Sequence, residues 1–213
     1  MRKKNNKRAL KPKSDNQAEY IRSIAENEIV FCIGPAGSGK TTIPVGLACE
    51  YLSENKVDKI IITRPVVESG HGLGYLPGSF KEKMHPYLIP ILDEMKLYLS
   101  DSVADKYMSS GLIEIVPLEY MRGRNFHNSF MILDEAQNAT MDQIKMFVTR
   151  IGRKSKAVIN GDTGQTDLPR SVEVGLDICL DSLDGIRGVG IIELTHQDIF
   201  RNRIISDILK RLE

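Results

Sequence analysis

Short apolar runs alternate with amphipathic segments along most of this chain. The runs are rich in β-branched residues, which is typical of strands covered on both faces of a sheet. Strands are predicted at Ile29–Ile33, Lys59–Thr63, Leu112–Val116, Phe130–Leu133, Ala157–Asn160 and Ile191–Leu194. Helices are predicted at Ala18–Ala25, Thr42–Leu52, Pro90–Leu99, Met141–Ile151, Val172–Leu183 and Asp198–Leu212. This alternation favours an α/β fold, with a mainly parallel sheet and helices on both of its faces.

The segment after the first strand matches the phosphate-binding pattern G-x-x-x-x-G-K-[ST] in full. Its residues are Gly34, Pro35, Ala36, Gly37, Ser38, Gly39, Lys40 and Thr41. Glycines let such a loop turn its N–H groups toward a phosphate, and the helix that begins at Thr42 adds a positive dipole end. Lys40 is predicted to neutralise the terminal phosphates of the ligand and Thr41 to bind Mg²⁺. The alternative is a Gly-rich turn without a ligand.

Two carboxylates end the apolar strand Phe130–Leu133. Asp134 suits a place beside Mg²⁺, and Glu135 suits the orientation of an attacking water. The alternative assigns Asp134 to helix capping and Glu135 to the surface. An adjacent glutamate favours a nucleotide hydrolase over a small-molecule kinase, because a kinase transfers phosphate to an acceptor other than water.

A polar loop, 161–169, follows the strand Ala157–Asn160. Because it leaves the carboxyl end of a strand, Gln165 is predicted to reach the γ-phosphate or the attacking water. A plain turn is the alternative.

Arginines are needed where charge builds on the γ-phosphate. In the last predicted helix, Arg201 projects between Ile205 and Ile208 on the apolar face, so it needs a partner such as a phosphate or a carboxylate across an interface. A salt-bridged arginine within its own chain is the alternative. Further candidates are Arg64, Arg122 and Arg124, which are predicted either to contact a nucleic-acid backbone or to be ordinary surface residues.

A long Gly-rich segment at 68–78 follows the second strand. Loops of this length often carry function. His71, Tyr75 and His85 are candidates for base stacking or a subunit contact, with local packing as the alternative. No metal cluster is predicted around the histidines.

Composition and charge limit the remaining classes. The net charge is +1, but seven basic residues precede Asp15, the first acid. We expect a disordered basic tail at 1–14, serving either solubility or phosphate contacts, and a single domain at 15–213. No stretch is long and apolar enough for a membrane span. Three isolated cysteines favour a reduced, cytoplasmic location.

Several motifs resemble those of superfamily 1 helicases. The pattern G-D-x-x-Q-x-x-L-P, which begins at Gly161, resembles their third motif, and Gln137 resembles the glutamine that follows their acid pair. Gln17 resembles their adenine-reading glutamine, since an amide can both donate to and accept from the adenine edge. An ordinary polar residue near a helix start is the alternative for Gln17.

Taken together, the motifs resemble the PhoH family of phosphate-starvation-type ATPases, over nearly the whole chain from Asn16 to Arg201. The more specific segments are 63–70, 73–78 and 120–124, beside the phosphate loop, the acid pair and the 161–169 loop. The resemblance implies a RecA-like P-loop core that binds and hydrolyses ATP with Mg²⁺, acts on single-stranded RNA or DNA, and assembles as a homo-oligomer, with a hexameric ring favoured. It also implies that Arg201 is offered across a subunit boundary, although its neighbours differ from the family pattern.

Some family members carry a fused PIN nuclease domain, for which these 213 residues leave no room. The rival hypothesis is an ATP-dependent switch or nucleic-acid-binding scaffold without motor activity.

Overall fold

The computed structural model describes residues 9–65, 89–169, 171–200 and 211. Within these residues, six parallel strands form one sheet in the order β3-β2-β4-β5-β1-β6. They are β1 (Ile29–Ile33), β2 (Lys59–Arg64), β3 (Ile113–Pro117), β4 (Ser129–Leu133), β5 (Lys156–Gly161) and β6 (Val189–Glu193). The predicted α/β, RecA-like fold with a parallel sheet is confirmed. Each predicted strand is present, and β1 has the predicted bounds.

Helices cover both faces of the sheet, as predicted. They are α1 (Asp15–Glu26), α2 (Thr42–Ser53), α3 (Asp101–Ser109), α4 (Met141–Val148) and α5 (Gly175–Leu183), with further helical residues at 89–96. Helices α1 and α2 pack on one face with alternate strand residues such as Cys32 and Val158. Helices α4 and α5 pack on the other face with Phe31 and Ile159.

Local signals explain where α1 and α4 begin. The Ser14 hydroxyl accepts a 3.2 Å hydrogen bond from Gln17 N, so α1 starts three residues before its predicted start at Ala18. At α4, Thr140 and Gln143 form the predicted capping box, with both reciprocal bonds present.

Other helix predictions differ from the structure. Helix α3 was not predicted, because Ala104 is its one fully buried side chain and its apolar pattern is weak. Helix α4 ends at Val148, and Ile151 instead forms an isolated parallel bridge with Phe126. Asp198 was predicted to open the last helix but lies in a 3-10 turn, His196–Asp198. Most of that predicted helix lies outside the described residues.

The residues just before α1 contact the domain. Leu10 packs against the core on the α2 face, and its N–H donates to Glu50 Oε1 at 3.3 Å. Lys13 N donates to Gln17 Oε1 at 2.9 Å. The boundary predicted between tail and domain at residue 14 stays a prediction. Among the described residues, none of the helices combines the length and the apolar composition that a membrane crossing requires.

Candidate nucleotide-binding site

The carboxyl ends of the central strands bring the predicted phosphate-binding and acidic residues together. In the sheet, β5 lies between β4 and β1, so the loops that follow these three strands meet at one edge. The phosphate loop follows β1, the acid pair follows β4, and the 161–169 loop follows β5. In parallel α/β sheets, ligands bind at this edge.

Glycines at both ends of the phosphate loop are required by its backbone. Gly34 has φ 151°, and a Cβ there would lie 2.4 Å from Leu194 O, so no other residue fits without a shift. Gly39 has φ 104°, in the region that favours glycine. The loop thus turns sharply between the end of β1 and the start of α2.

Lys40 and Thr41 project from this loop toward different partners. Lys40 Nζ donates to the carbonyl oxygens of Gly34 and Pro35, the second at 2.9 Å, which holds the ammonium against the loop. Thr41 makes no capping bond to α2, and its hydroxyl instead donates to Asp134 Oδ1 at 2.8 Å. The loop and the acidic strand end are therefore in direct contact, although 93 residues separate Thr41 and Asp134.

Arg64, at the end of β2, contacts both acids. One of its terminal nitrogens lies 2.8 Å from Asp134 Oδ2 and 3.2 Å from Glu135 Oε1. Asp134 is 2% exposed and the Arg64 side chain is 17% exposed, so the ion pair between them is largely buried. Arg64 is therefore not an ordinary surface residue, which was one of the two predictions for it.

Glu135 has an unusual backbone and two side-chain partners. Its φ of 56° and ψ of 41° are left-handed, which is uncommon for a residue other than glycine and marks local strain. Beyond its contact with Arg64, its carboxylate accepts a 2.5 Å hydrogen bond from Gln137 Nε2. Gln137 Oε1 in turn accepts from Asp162 N at 3.1 Å, which ties Glu135 to the 161–169 loop.

A cavity of about 250 Å³ lies among these groups. It is lined by Ala36, Gly37, Gly39, Lys40, Thr41, Thr42, Asp134, Glu135, Gln137, Asn160, Gly161, Asp162 and Gln165. Gln165 is exposed and lines this cavity from the loop after β5, and its role at the γ-phosphate stays a prediction. Asn160 was placed at a strand end by the sequence but was not proposed as a site residue.

A second cavity of about 600 Å³ also adjoins the phosphate loop. Gln17, Gly37, Gly39 and Thr42 line it, together with residues 9–13 and aromatic side chains from Tyr98 and Phe200. Gln17 is buried and its Nε2 donates to Ser38 O at 2.8 Å, so it braces the phosphate loop. Its assignment as an adenine contact stays a prediction.

The other predicted arginines lie away from this site or outside the description. Arg124 pairs with Glu114 at 2.5 Å and lies over the Phe126 ring at 4.6 Å. Arg122 is exposed on the same surface segment. Arg201, His71, Tyr75 and His85 lie outside the described residues, as does the 68–78 segment, and their predicted roles stay predictions.

The oxygen ligands present fit Mg²⁺ in the way that nucleotide sites hold it. A hydroxyl and a carboxylate are in contact, and Mg²⁺ is usually held by one or two carboxylates together with substrate phosphates and water. Within residues 9–65, 89–169 and 171–200, no group of three or more His, Cys, Asp and Glu side chains is arranged to hold a metal ion.

Comparison with known proteins matches the sequence of this chain to one family. The family model described as PhoH-like protein matches residues 9–213. The chain is a member of the PhoH-like family. A PhoH-like protein of Mycobacterium bovis is 46% identical over 202 residues, which are 95% of this chain and 57% of that protein. A PhoH-like protein of Bacillus subtilis is 45% identical over 203 residues, 95% of this chain and 64% of its own length.

This PhoH-like chain thus spans about three fifths of the length of the curated relatives it matches. Among solved structures, the large terminase from a thermophilic bacteriophage has a similar fold, with a TM-score of 0.60 and 11% sequence identity. The similarity covers 95% of this chain and 51% of the terminase. At that identity the likeness supports the fold alone.

Proposed function

We propose that this PhoH-like chain binds and hydrolyses ATP with Mg²⁺ at the 250 Å³ cavity. The observation that carries the proposal is the 2.8 Å contact between Thr41 and Asp134, with Lys40 and Glu135 lining the same cavity. A phosphate loop, a buried carboxylate and a carboxylate for water activation are the parts that phosphoryl transfer to water requires.

Each residue has a role that follows from its position. The loop N–H groups and the start of α2 bind the phosphates, and Lys40 exchanges the loop carbonyls for phosphate oxygens. Thr41 and Asp134 would hold Mg²⁺, which neutralises charge on the phosphates when bound. Glu135 accepts the proton of the attacking water, and Arg64 and Gln137 hold its carboxylate in place.

We propose the 600 Å³ cavity for the adenine base, because it adjoins the phosphate loop and is lined by Thr42 and by aromatic side chains. Gln17 lies on its wall, and its amide is already bonded to Ser38 O and Lys13 N. To contact the adenine edge, Gln17 Oε1 would accept a hydrogen bond from the base in place of the one from Lys13 N. Its Nε2 would keep the bond to Ser38 O in the phosphate loop.

The test is phosphate release from Mg-ATP by the parental protein and by Lys40→Ala. We expect the substitution to lower the rate by about 100-fold or more, since it removes the charge that stabilises the terminal phosphates. Lys145→Ala is the matched control. Lys145 is exposed on α4, which packs on the face of the sheet opposite to α2, the helix that follows the phosphate loop. If Lys40→Ala hydrolysed ATP at the parental rate, the site assignment would be refuted.

The same assay separates the rival functions. Equal amounts of ADP and inorganic phosphate indicate water as the acceptor. A small-molecule kinase would instead form ADP without phosphate, and only after an acceptor molecule is added to the assay. ATP binding without turnover, together with ATP-dependent assembly, favours the switch or scaffold.

We further propose single-stranded RNA or DNA as the partner that this ATPase acts on. The exposed side chains of Arg122 and Tyr120 support it, because an exposed cation and an exposed aromatic ring two residues apart in sequence suit a phosphate backbone with stacked bases. Arg64 and Arg124 have protein partners, so they are less suited to this contact. Measurement of the ATPase rate with and without each nucleic acid tests the proposal, and an unchanged rate would contradict it.

A homo-oligomer, with a hexamer favoured, is proposed to complete the site by supplying Arg201 in trans. The single sheet of the described residues supports it, since a second RecA-like core would have to come from another subunit. Mixing Arg201→Ala with Glu135→Gln subunits should restore part of the activity, because mixed boundaries combine an intact base with an intact arginine. No recovery at any ratio, in material of known mass, would contradict action in trans.

A further inference from the structure

The side-chain amide of Asn160 has one nitrogen with no hydrogen-bond partner in the described part of the chain. The residue is 0% exposed, and its Nδ2 has no partner among the described residues. Buried amide groups are nearly always bonded, and an unmade bond costs stability. Asn160 also lines the 250 Å³ cavity, beside the phosphate loop and the acid pair.

Tyr20 fixes the orientation of this amide. Its hydroxyl donates to Asn160 Oδ1 at 2.8 Å, and it also lies 3.3 Å from Lys40 O. Burial raises the pKa of Tyr20 well above its ordinary value, so the hydroxyl keeps its proton and remains a donor. With Oδ1 held by Tyr20, Nδ2 is the end of the amide that is left to donate.

The sheet register places Asn160 between the two motifs of the site. Asn160 pairs with Cys32 on β1, two residues before Gly34. On β4, Leu133 pairs with Ile159, so Asp134 lies level with Asn160. Burial raises the pKa of the Cys32 thiol to about 12, so this neighbour is neutral and does not compete as a charged acceptor.

From this geometry we propose that Asn160 donates a hydrogen bond to the terminal phosphoryl group of a bound nucleoside triphosphate. Asn160 thereby distinguishes a triphosphate from a diphosphate, and Tyr20 is the residue that positions it. The inference rests on the proposed ATP site and adds a specificity residue to it. A strained or unsatisfied group that persists in a buried position is expected where function requires it.

The test measures the affinity of the parental protein and of Asn160→Leu for two ligands. The ligands are Mg-ADP and the Mg complex of a non-hydrolysable ATP analogue. Asn160→Leu replaces the amide by an apolar group of similar size. We expect at least a tenfold loss of affinity for the analogue and less than a twofold change for ADP, since a hydrogen bond to a charged group accounts for such a factor. Turnover should fall as well.

Nucleotide discrimination separates a structural role of Asn160 from a functional one. Asn160→Leu removes an unsatisfied amide nitrogen but also removes the acceptor of the buried Tyr20 hydroxyl, so a change in the unfolding temperature without nucleotide is expected for either role. A lowered temperature with unchanged nucleotide discrimination would overturn the proposal in favour of a structural role. Asn160→Ala adds no bulk and serves as the second variant if the leucine disturbs the fold.

Two further variants complete the design. Tyr20→Phe removes the hydroxyl that orients the amide, and a smaller loss of discrimination is expected. Val158→Ala is the matched control, since Val158 is buried two residues earlier on the same strand and face, and it should leave discrimination unchanged.

The outcomes separate the two proposals. If the parental protein binds neither nucleotide, the ATP site itself is refuted, and this inference with it. If the parental protein binds both and Asn160→Leu and Asn160→Ala discriminate as it does, the role of Asn160 alone is refuted.

Discussion

The two ends of strands β4 and β5 differ in what they contribute to the protein. At the amino ends and centres, side chains such as Phe130, Ile132 and Val158 are fully buried in the core. At the carboxyl ends, Asp134, Glu135 and Asn160 are polar, and they include a left-handed backbone and an amide without a described partner. One end is built for packing and the other carries features that cost stability.

This difference indicates how the fold supports a site. Buried apolar strands hold the sheet rigid, and rigid elements position catalytic groups better than loops do. Strain and unsatisfied polar groups persist because the surrounding core over-determines them. Variants at the two ends should therefore separate turnover from stability.

The largest expected effect is at the site end. Glu135→Gln keeps the size of the side chain and removes the carboxylate proposed as the base, so ATP turnover should fall by about 10² to 10⁴-fold. The free energy of unfolding should change little, because the Glu135 side chain is 43% exposed. Steady-state kinetics and urea denaturation of the same preparation check this. Turnover within a factor of a few of the parental rate would exclude Glu135 as the base.

The reverse pattern is expected in the core. Phe130→Ala leaves a cavity beside Tyr51, whose ring meets it edge-on at a centroid distance of 5.6 Å. The free energy of unfolding should fall by about 3 to 5 kcal/mol. Nucleotide affinity, measured by titration well below the unfolding temperature, should stay near the parental value. A large loss of affinity with intact stability would break the contrast between the two ends.

A smaller and pH-dependent effect on the free energy of unfolding is expected at Asp198. This residue is buried and accepts hydrogen bonds from Ser14 and Asn16 at the start of α1. Burial by itself raises the pKa of its carboxyl, but hydrogen bonds from Ser14, Asn16 and Thr195 outweigh that effect and hold the pKa below its ordinary value. The ionised form is therefore favoured in the folded state, and its stabilisation is present above the pKa of the unfolded chain, about 4.

Asp198→Asn should lower the free energy of unfolding by about 2 kcal/mol at neutral pH. The difference from the parental protein should shrink as the pH falls below about 4 and through the lowered folded-state pKa. Denaturation curves between about pH 3 and 7 measure it. A gap that stays constant across that range would show that the charge of Asp198 does not matter.

Local sequence signals were sufficient for most of the sheet. The strand Ile29–Ile33 was predicted to the residue, because an apolar run ends at a glycine that the loop requires. Helix α3 was missed, since it packs on the core mainly through the partly buried Val103, Tyr107 and Met108, which form no clear apolar pattern in the sequence. The bounds of α4 were too long because the bridge from Ile151 to Phe126 is a tertiary contact.

The parts of the candidate site that consist of short sequence motifs were predictable. The parts that depend on which strands lie side by side in the sheet were not. Lys40, Thr41, Asp134 and Glu135 follow from short patterns next to strands. Asn160 becomes visible only when β5 is placed between β1 and β4, and the contact of Arg64 with the acids spans 70 residues of sequence. Both depend on strand order, which no local pattern specifies.

A crystal structure with Mg²⁺ and a non-hydrolysable ATP analogue would show where the nucleotide binds. We expect the terminal phosphates to contact Lys40, the metal to be held by Thr41 and Asp134, and Glu135 to face the γ-phosphate. A nucleotide bound away from the 250 Å³ cavity, or phosphates that contact neither Lys40 nor a metal held near Asp134, would contradict it.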